Sequence, residues 1–330
     1  MTYLLVFLSS GAVVVLAGAA LARLADAIAE ATGLGRIWIG SILLAAATSL
    51  PELVTDVAAV RLGAADLAVG DLFGSSMANM LILALIDLLP PRRQVLRHAA
   101  LDHALAACLA ITLNALAAAF VIARPTAAIG GVGPVSVVLF AAYLAGTRVV
   151  YRHMRPEPVA AARVQATGRP SGLRRALLGF AGASVAILVA APAFAWSAKG
   201  IAEITGLGTT FVGTWLVGLS TSLPELASSL AAVRMGAFDL AVGNLFGSNA
   251  LNMAIFFPLD LAQPGAALFA ALDPNHAISA LFAVVLMSLG LAAIVYRAER
   301  RFAMIEPDSV LMVVVYVLGI GLLYARVAGQ

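Results

Sequence analysis

Long apolar stretches separated by short polar intervals run along almost the whole chain. A transmembrane helix needs roughly 20 apolar residues, and ten stretches of about that length can be placed. The first stretch follows no basic segment, so it is interpreted as a span rather than a cleaved signal. The pattern therefore predicts an all-α polytopic membrane protein with ten transmembrane helices, at residues 3–22, 37–60, 67–89, 98–122, 131–151, 176–197, 210–233, 240–261, 276–296 and 309–328.

One long polar interval divides this pattern. Residues 152–175 are rich in Arg and contain Gly and Pro, which predicts a linker between two five-helix halves. The halves are residues 1–151 and 176–330. Because five is an odd number, two homologous halves of one chain would cross the membrane in opposite directions, as in the inverted-topology repeats of secondary transporters.

The homology of the halves is visible in the sequence. At a shift of 173 positions, Ala29–Ile82 matches Ala202–Ile255 without a gap, with 32 of 54 positions identical. The identities include charged residues and most glycines, which a chance hydrophobic resemblance would not share. We place the two repeated motif segments at residues 36–89 and 209–261.

The basic residues predict an orientation. With the N-terminus outside, 16 of the 20 Lys and Arg fall in cytoplasmic loops and 4 fall outside. Cytoplasmic loops of membrane proteins carry such an excess. The expected protein therefore lies in the plasma membrane (the inner membrane of a bacterium), with both termini outside and the 152–175 loop in the cytoplasm.

Composition narrows the class of protein. The chain is 62% hydrophobic and 11% charged, against about 45–50% and about 25% in soluble domains. Its single cysteine, Cys108, excludes an intrachain disulfide. A net charge of +3 gives no reason to expect a nucleic-acid partner. The four His do not combine with a Ser in a catalytic motif, so no enzyme activity and no cofactor are expected.

The segment TSLPE occurs twice, at Thr48–Glu52 and Thr221–Glu225, inside two of the apolar stretches. A carboxylate in a membrane span almost always faces a pathway, a partner or an ion. The proline of each segment should break the helix and free the carbonyl four residues earlier, at Ala47 and Ser220. A freed carbonyl is tolerated in a membrane only beside protein or a wet cavity.

A second repeated segment follows each TSLPE, at Gly70–Asn79 and Gly243–Asn252. Its glycines allow close helix approach, and its Ser and Asn lie four residues apart on one helix face. Hydroxyl, amide and carboxylate oxygens of this kind suit Na⁺, Ca²⁺ and Mg²⁺. The predicted site has a formal charge of −2 and contains Glu52, Glu225, Asn79, Asn252, Thr48, Thr221, Ser49, Ser222, Ser75 and Ser248.

A single intramembrane Glu can also be a protonated structural residue, an alternative that two symmetric copies beside prolines disfavour. Two acidic residues have no acidic counterpart, since Asp56 matches Ser229 and Asp71 matches Asn244. Asp56 is expected either to extend the access path or, preferably, to pair near the outer interface, for example with Arg61. Asp71 would be a third negative group or the cap of a local helix break, with a packing or hydrogen-bonding role slightly favoured.

Repeated acidic and His residues near the span ends are interpreted as interfacial, namely Asp87, Asp260, His103 and His276. The alternative for the two His is a gating or proton-sensing role.

At these motifs the sequence resembles the cation/Ca²⁺ exchanger superfamily, and specifically its sodium/calcium exchanger branch. The resemblance lies in two TSLPE segments, each followed by a segment similar to G-N-x-x-G-S-N-x-x-N. It implies that Glu52 and Glu225 are central Ca²⁺ ligands shared with Na⁺, and that the Thr and Ser oxygens serve flanking Na⁺ sites. It also implies ligand carbonyls at Ala45 and Gly218, and sliding of spans 1 and 6 to open the site to each face.

The resemblance therefore implies a Na⁺/Ca²⁺ antiporter, with Na⁺, Ca²⁺ and the lipid bilayer as its partners. Because one chain already contains a complete site, the protein is expected to function as a monomer. Proton-coupled Ca²⁺ exchange and exchange of Mg²⁺ or Mn²⁺ are the alternatives within the transporter class. A cation channel is the alternative from another class, but an internal repeat that carries its own two-Glu site favours a transporter.

Overall fold

The computed structural model describes residues 2–88, 95–99, 101–153, 172–205, 221–263, 267–296 and 307–328. Nearly all of this described chain is helical. The main helices are α1 Thr2–Thr32, α2 Arg36–Thr48, α3 Leu50–Arg61, α4 Ala65–Asp87, α5 His103–Ala123, α6 Pro134–His153, α7 Leu173–Thr205, α8 Leu223–Arg234, α9 Phe238–Ala262, α10 His276–Tyr296 and α11 Pro307–Ala328. Two short helices, Val95–His98 and Leu268–Ala271, precede α5 and α10.

The helices identify a multi-pass membrane protein. In the described part, eight are long and apolar enough to cross a bilayer, and α2 with α3, bent by 43°, is either a further broken span or a re-entrant loop. This bent pair occupies the predicted span 37–60. The predicted span 210–233 is described only from residue 221 onward, and the linker between residues 154 and 171 also lies outside the described residues. The count of ten spans therefore stays a prediction.

The helix bounds repeat along the chain. A shift of 173 positions carries α3 onto α8 and α5 onto α10 residue for residue, and it carries one short helix onto the other. The same shift brings α1, α4 and α6 onto α7, α9 and α11, with differences of a few residues at their ends. The sequence repeat is thus also a repeat of helix lengths and turns.

Helices α1 and α7 are longer than the spans predicted at 3–22 and 176–197. They contain 31 and 33 residues, which at about 1.5 Å per residue exceeds a hydrocarbon core of about 30 Å. The chain stays helical beyond the apolar stretch until Gly33, whose φ of +70° ends α1. Arg36 reaches back to Asp26 at 2.5 Å, which fixes this end of α1. Such long helices must tilt in the membrane or project from it.

The packing separates a central group of helices from a peripheral pair. Helices α4 and α9 are buried along most of their length, and α2, α5 and α10 pack against them. Helices α1 and α7 lie along each other and touch the centre mainly through α8, with further contacts to α2 and α3. Close approach of α2 to α9 depends on Gly247, where a Cβ atom would lie 2.2 Å from the Ser41 carbonyl oxygen.

Paired contacts tie the ends of the central helices together. His103 Nε2 lies 2.9 Å from Asp239 Oδ1, and His276 Nε2 lies 3.0 Å from Asp66 Oδ1. A shift of 173 converts the first contact into the second. His103 is completely buried, whereas the His276 side chain is 18% exposed. Their position at the membrane interface stays a prediction.

A second pair of contacts is also interconverted by the shift of 173 positions. The Ser309 hydroxyl donates to Asp87 Oδ2 at 2.6 Å, and the Ser136 hydroxyl donates to Asp260 Oδ2 at 2.5 Å. Backbone N–H groups of the short helices donate to the same carboxylates, from Leu96 to Asp87 at 2.9 Å and from Leu268 to Asp260 at 2.7 Å. Both Asp are buried, and they hold the short helices and α6 and α11 in place. Their position near the membrane interface stays a prediction.

Candidate cation site between the helix breaks

Each TSLPE segment forms a helix break. Ser49 separates α2 from α3, with φ −89° and ψ 2°, and Pro51 occupies the second position of α3. Ser222 has nearly the same backbone, φ −84° and ψ 3°, at the start of α8. A proline is tolerated in the first turn because N–H groups there have no partner within the helix. The break was predicted, and its consequence is that a Glu lies in the first turn of each new helix.

The first-turn position favours a charged carboxylate. The free N–H groups at a helix N-terminus carry partial positive charge, which stabilises an anion there. Glu52 and Glu225 occupy this position in α3 and α8. Ser49 and Glu52 have the S-x-x-E spacing of a capping box, but Ser49 makes no side-chain cap. Both side chains are thus available for contacts between helices.

These contacts join the two halves. The Ser49 hydroxyl donates to Glu225 Oε1 at 3.2 Å, and the Ser75 hydroxyl donates to Glu52 Oε1 at 3.0 Å. Asn252 Nδ2 in turn donates to Ser75 Oγ at 3.2 Å. The two Glu, two Ser and Asn252 are all completely or almost completely buried. Residues from α4, α9 and both breaks therefore meet in one polar cluster.

Further contacts extend the cluster. Thr48 Oγ1 donates to Asn244 Oδ1 at 3.4 Å, and Thr221 Oγ1 donates to Asp71 Oδ1 at 3.1 Å, contacts that the shift of 173 interconverts. Asn79 Nδ2 donates to the Asn249 side-chain oxygen at 2.9 Å. The structural roles of Asn244 and Asn249 were missed in the sequence analysis, although both belong to the second motif segment.

Several oxygens in the cluster have no hydrogen-bond donor. Glu52 and Glu225 are both 0% exposed, and the Oε2 atom of each lacks a partner. Leaving a buried polar group unpaired costs about 1–3 kcal/mol and more for a charged one. In the described structure four more predicted site residues have a buried oxygen without a partner, namely Asn79, Asn252, Ser222 and Ser248. These atoms can all donate electron pairs to a cation.

No buried Lys or Arg in the described chain balances these carboxylates. The described residues also contain no group of three or more His, Cys, Asp or Glu side chains that could hold a metal ion. A cation bound here would therefore need amide and hydroxyl oxygens beside the two Glu. Such mixed oxygen ligation is typical of Na⁺ and Ca²⁺ and not of soft metals.

Of the two predicted carbonyl ligands, Ala45 and Gly218, only Ala45 lies within the described residues. The Ala45 carbonyl lies one turn before the break and accepts hydrogen bonds from the Ser49 N–H at 3.0 Å and the Thr48 hydroxyl at 3.2 Å. Gly218 lies outside the described residues. The expected ion pair between Asp56 and Arg61 is not among the ion pairs of the described residues, because Asp56 is buried whereas Arg61 is exposed.

The family model for the sodium/calcium exchanger protein matches residues 2–150 and 175–325. The chain belongs to the sodium/calcium exchanger family. Its match covers both halves of the chain and confirms the family resemblance of the two motif pairs. Membership in this family of exchangers agrees with the expectation of a transporter rather than an enzyme.

Individual relatives agree with this family assignment. The putative antiporter CaxA of Alkalimonas amylolytica is 28% identical over 296 residues, covering 87% of this chain and 88% of the relative. The sodium/calcium exchanger MaX1 of Methanosarcina acetivorans is 38% identical over 85 residues, 24% of each chain.

The fold is that of a structurally characterised exchanger. The sodium-calcium exchanger NCX_Mj, soaked with Na⁺ and without Ca²⁺, superimposes with a TM-score of 0.75 at 22% identity, covering 97% of this chain and 98% of that one. The same protein soaked with Na⁺ and Ca²⁺ gives a TM-score of 0.76 at 21% identity.

Proposed function

We propose that this protein is a secondary active antiporter that exchanges Na⁺ for Ca²⁺ by alternating access. The site would lie near the bilayer midplane between the two helix breaks, with Glu52 and Glu225 as its central ligands. Family membership supports ion exchange. The names of MaX1 and NCX_Mj, both sodium/calcium exchangers, support these two ions as substrates.

The observation that carries the proposal is the convergence of buried oxygens without donors at two helix breaks. Two carboxylates give this cluster a charge of −2, which one Ca²⁺ or monovalent cations can neutralise. A loaded site is nearly neutral and can pass through a closed state. An unloaded site keeps two unpaired charges away from water, which is unfavourable. Movement of the unloaded carrier is thereby disfavoured, and the two fluxes are coupled.

We also infer that the chain forms ten spans as two inverted five-helix repeats, residues 1–151 and 176–330, joined by the 152–175 linker. The repeated helix bounds and the crossed contacts at the helix ends support this arrangement. The repeat interface is where such transporters bind their substrates. Helices α1 and α7, which pack mainly on each other, are the candidates for the sliding element.

The remaining proposals concern location and assembly. The distribution of Arg supports a plasma-membrane protein with both termini outside and a cytoplasmic linker. Since one chain supplies both Glu and all other proposed ligands, a monomer would suffice for exchange. Ca²⁺ and Na⁺ are transported substrates in this proposal, and no cofactor is needed.

The test is transport by purified protein in liposomes. Vesicles loaded with Na⁺ are diluted into Na⁺-free buffer, and uptake of labelled Ca²⁺ is followed. Glu52→Gln and Glu225→Gln should each abolish uptake, because each removes a ligand charge while keeping the side-chain size. Glu30→Gln is the matched control, since Glu30 is 72% exposed at the end of α1 and should tolerate the change.

Other gradients separate the alternatives. Uptake driven by a pH gradient and indifferent to Na⁺ would contradict Na⁺ coupling and support proton-coupled exchange. Transport of Mg²⁺ or Mn²⁺ in place of Ca²⁺ would contradict the assignment of the divalent ion. Ca²⁺ flux without any counter-ion would support a channel. Equal uptake by wild type and both Glu variants would refute the proposed site.

A further inference from the structure

Two carboxylates beside the two-Glu cluster are absent from the second half. Asp56 lies one turn after Glu52 in α3, and Asp71 lies in α4. Their counterparts at a shift of 173 are Ser229 and Asn244. The two halves therefore place different chemistry at equivalent positions.

In the second half these positions form a neutral cluster with its hydrogen bonds satisfied. Asn244 Nδ2 donates to both Ser229 Oγ and Ser228 Oγ at 3.1 Å. All three side chains are completely buried. A side-chain amide and two hydroxyls can satisfy one another without any ligand.

In the first half the same arrangement holds two acids. Asp56 and Asp71 occupy the positions at which Ser229 and Asn244 lie within hydrogen-bond distance, 3.1 Å, in the second half. Asp56 is only 3% exposed, and its Oδ2 atom has no hydrogen-bond partner. Asp71 Oδ1 accepts from Thr221, but its Oδ2 atom is buried and also lacks a partner. Neither acid forms an ion pair with any described residue.

Two neighbouring buried carboxylates stay charged only where a positive charge balances them, and otherwise they take up protons. A buried charge without a partner is highly unfavourable, and the described interior contains no Lys or Arg. With Glu52 and Glu225, four buried carboxylate oxygens lack a donor. One bound Ca²⁺ at the two-Glu site would balance only half of these carboxylates.

We propose that Asp56 and Asp71 form a second cation subsite that adjoins the two-Glu site and takes a divalent cation such as Ca²⁺. The subsite lies about 6 Å along α3 from Glu52, toward the turn between α3 and α4. It deepens the proposed function, on which it rests, by placing a staging position for the divalent ion at one entrance only. Two carboxylates give it a charge of −2, which favours a divalent over a single monovalent ion, and water completes the hard-oxygen shell.

The test is equilibrium binding of labelled Ca²⁺ to purified full-length protein in Na⁺-free buffer. The key variant is Asp56→Ser with Asp71→Asn, which installs the residues that the second half already uses. It is compared with wild type, with Glu52→Gln/Glu225→Gln, and with all four substitutions together. We expect the Glu variant to retain one class of bound Ca²⁺, the Asp variant to lose that class, and the fourfold variant to bind none.

Two results would overturn the proposal. In one, the Glu variant binds no more Ca²⁺ than the fourfold variant. In the other, the folded Asp variant binds as much Ca²⁺ as wild type. The single variant Asp56→Ser controls for misfolding of the double variant. It is expected to fold, because Asp56 forms no hydrogen bond within the described structure. It should also lower the amount of Ca²⁺ bound by the Glu variant.

The same measurements separate this proposal from the function itself. Na⁺-driven Ca²⁺ uptake that requires both Glu, combined with no Ca²⁺ binding by the Glu variant, would remove the subsite and leave the antiporter. Retained Ca²⁺ binding by the Glu variant without Na⁺-driven uptake by wild type would instead keep the subsite and remove the proposed exchange.

Discussion

Ser75→Ala should weaken cation binding much more than Ser76→Ala, although the two serines are adjacent in α4. The Ser75 hydroxyl donates to Glu52 at 3.0 Å and accepts from Asn252 at 3.2 Å, so it fixes two proposed ligands at once. The Ser76 hydroxyl donates only to the Leu72 carbonyl of its own helix, at 2.9 Å. Both serines are completely buried, so their substitution by Ala removes the same volume.

The magnitude follows from the contact that is lost. A hydrogen bond to a charged group contributes about 1.5–3 kcal/mol, and about 1.4 kcal/mol is tenfold in affinity. Ser75→Ala should therefore raise the concentration of Na⁺ and Ca²⁺ for half-maximal exchange by roughly ten- to a hundredfold. Because the Ser76 bond is local to its helix, its loss should change these concentrations by less than about threefold.

The assay is Na⁺-driven Ca²⁺ uptake in liposomes, with each ion varied in turn. Thermal unfolding of both variants in detergent controls for a general loss of stability. Half-maximal concentrations that Ser75→Ala leaves unchanged from wild type would refute the argument that Ser75 positions Glu52. A shift for Ser76→Ala as large as that for Ser75→Ala would show that the change acts through packing of α4.

Two further substitutions test the framework around the site. Gly247→Ala should destabilise the protein by about 1–3 kcal/mol, since the added Cβ would meet the Ser41 carbonyl. The control is Gly182→Ala, where an added Cβ would have no other atom within 4 Å and should not lower the unfolding temperature. Ser309→Ala should also lower the free energy of unfolding by about 1–3 kcal/mol, and with it the unfolding temperature, because the buried carboxylate of Asp87 loses a donor at 2.6 Å. An unchanged unfolding temperature in either case would contradict the packing or hydrogen-bond argument.

The sequence was sufficient to predict the helix breaks because proline acts locally. The steric conflict at Pro51 involves only the preceding turn. Proline alone is not sufficient, since Pro192 and Pro258 lie inside α7 and α9, and it was the repeat of the whole TSLPE segment that favoured a break. The lengths of α1 and α7 could not be predicted in the same way. Hydropathy detects the apolar part of a helix, whereas the end of α1 is set by Gly33 and by the contact of Arg36 with Asp26.

The donors to the carboxylates could not be predicted, because they come from distant parts of the chain. Local rules favour Ser49 as the cap of α3, with Glu52 completing a capping box. The structure instead pairs Ser49 with Glu225, 176 positions away. Residue types at the site were therefore predictable from the two motifs, but which oxygens would remain without a donor depends on how α4 and α9 pack.

The contacts at the helix ends are symmetric, whereas those of the Ser and Glu side chains at the site are not. The crossed His–Asp and Asp–Ser contacts occur once in each half with nearly equal lengths. At the site, Ser75 donates to Glu52, whereas the corresponding Ser248 hydroxyl has no partner. The proposed alternating access requires two frameworks of similar stability, and the symmetric contacts would provide them. Differences between the faces must then arise from the few positions where the repeat departs from itself, which places Asp56 and Asp71 among the residues that set ion access.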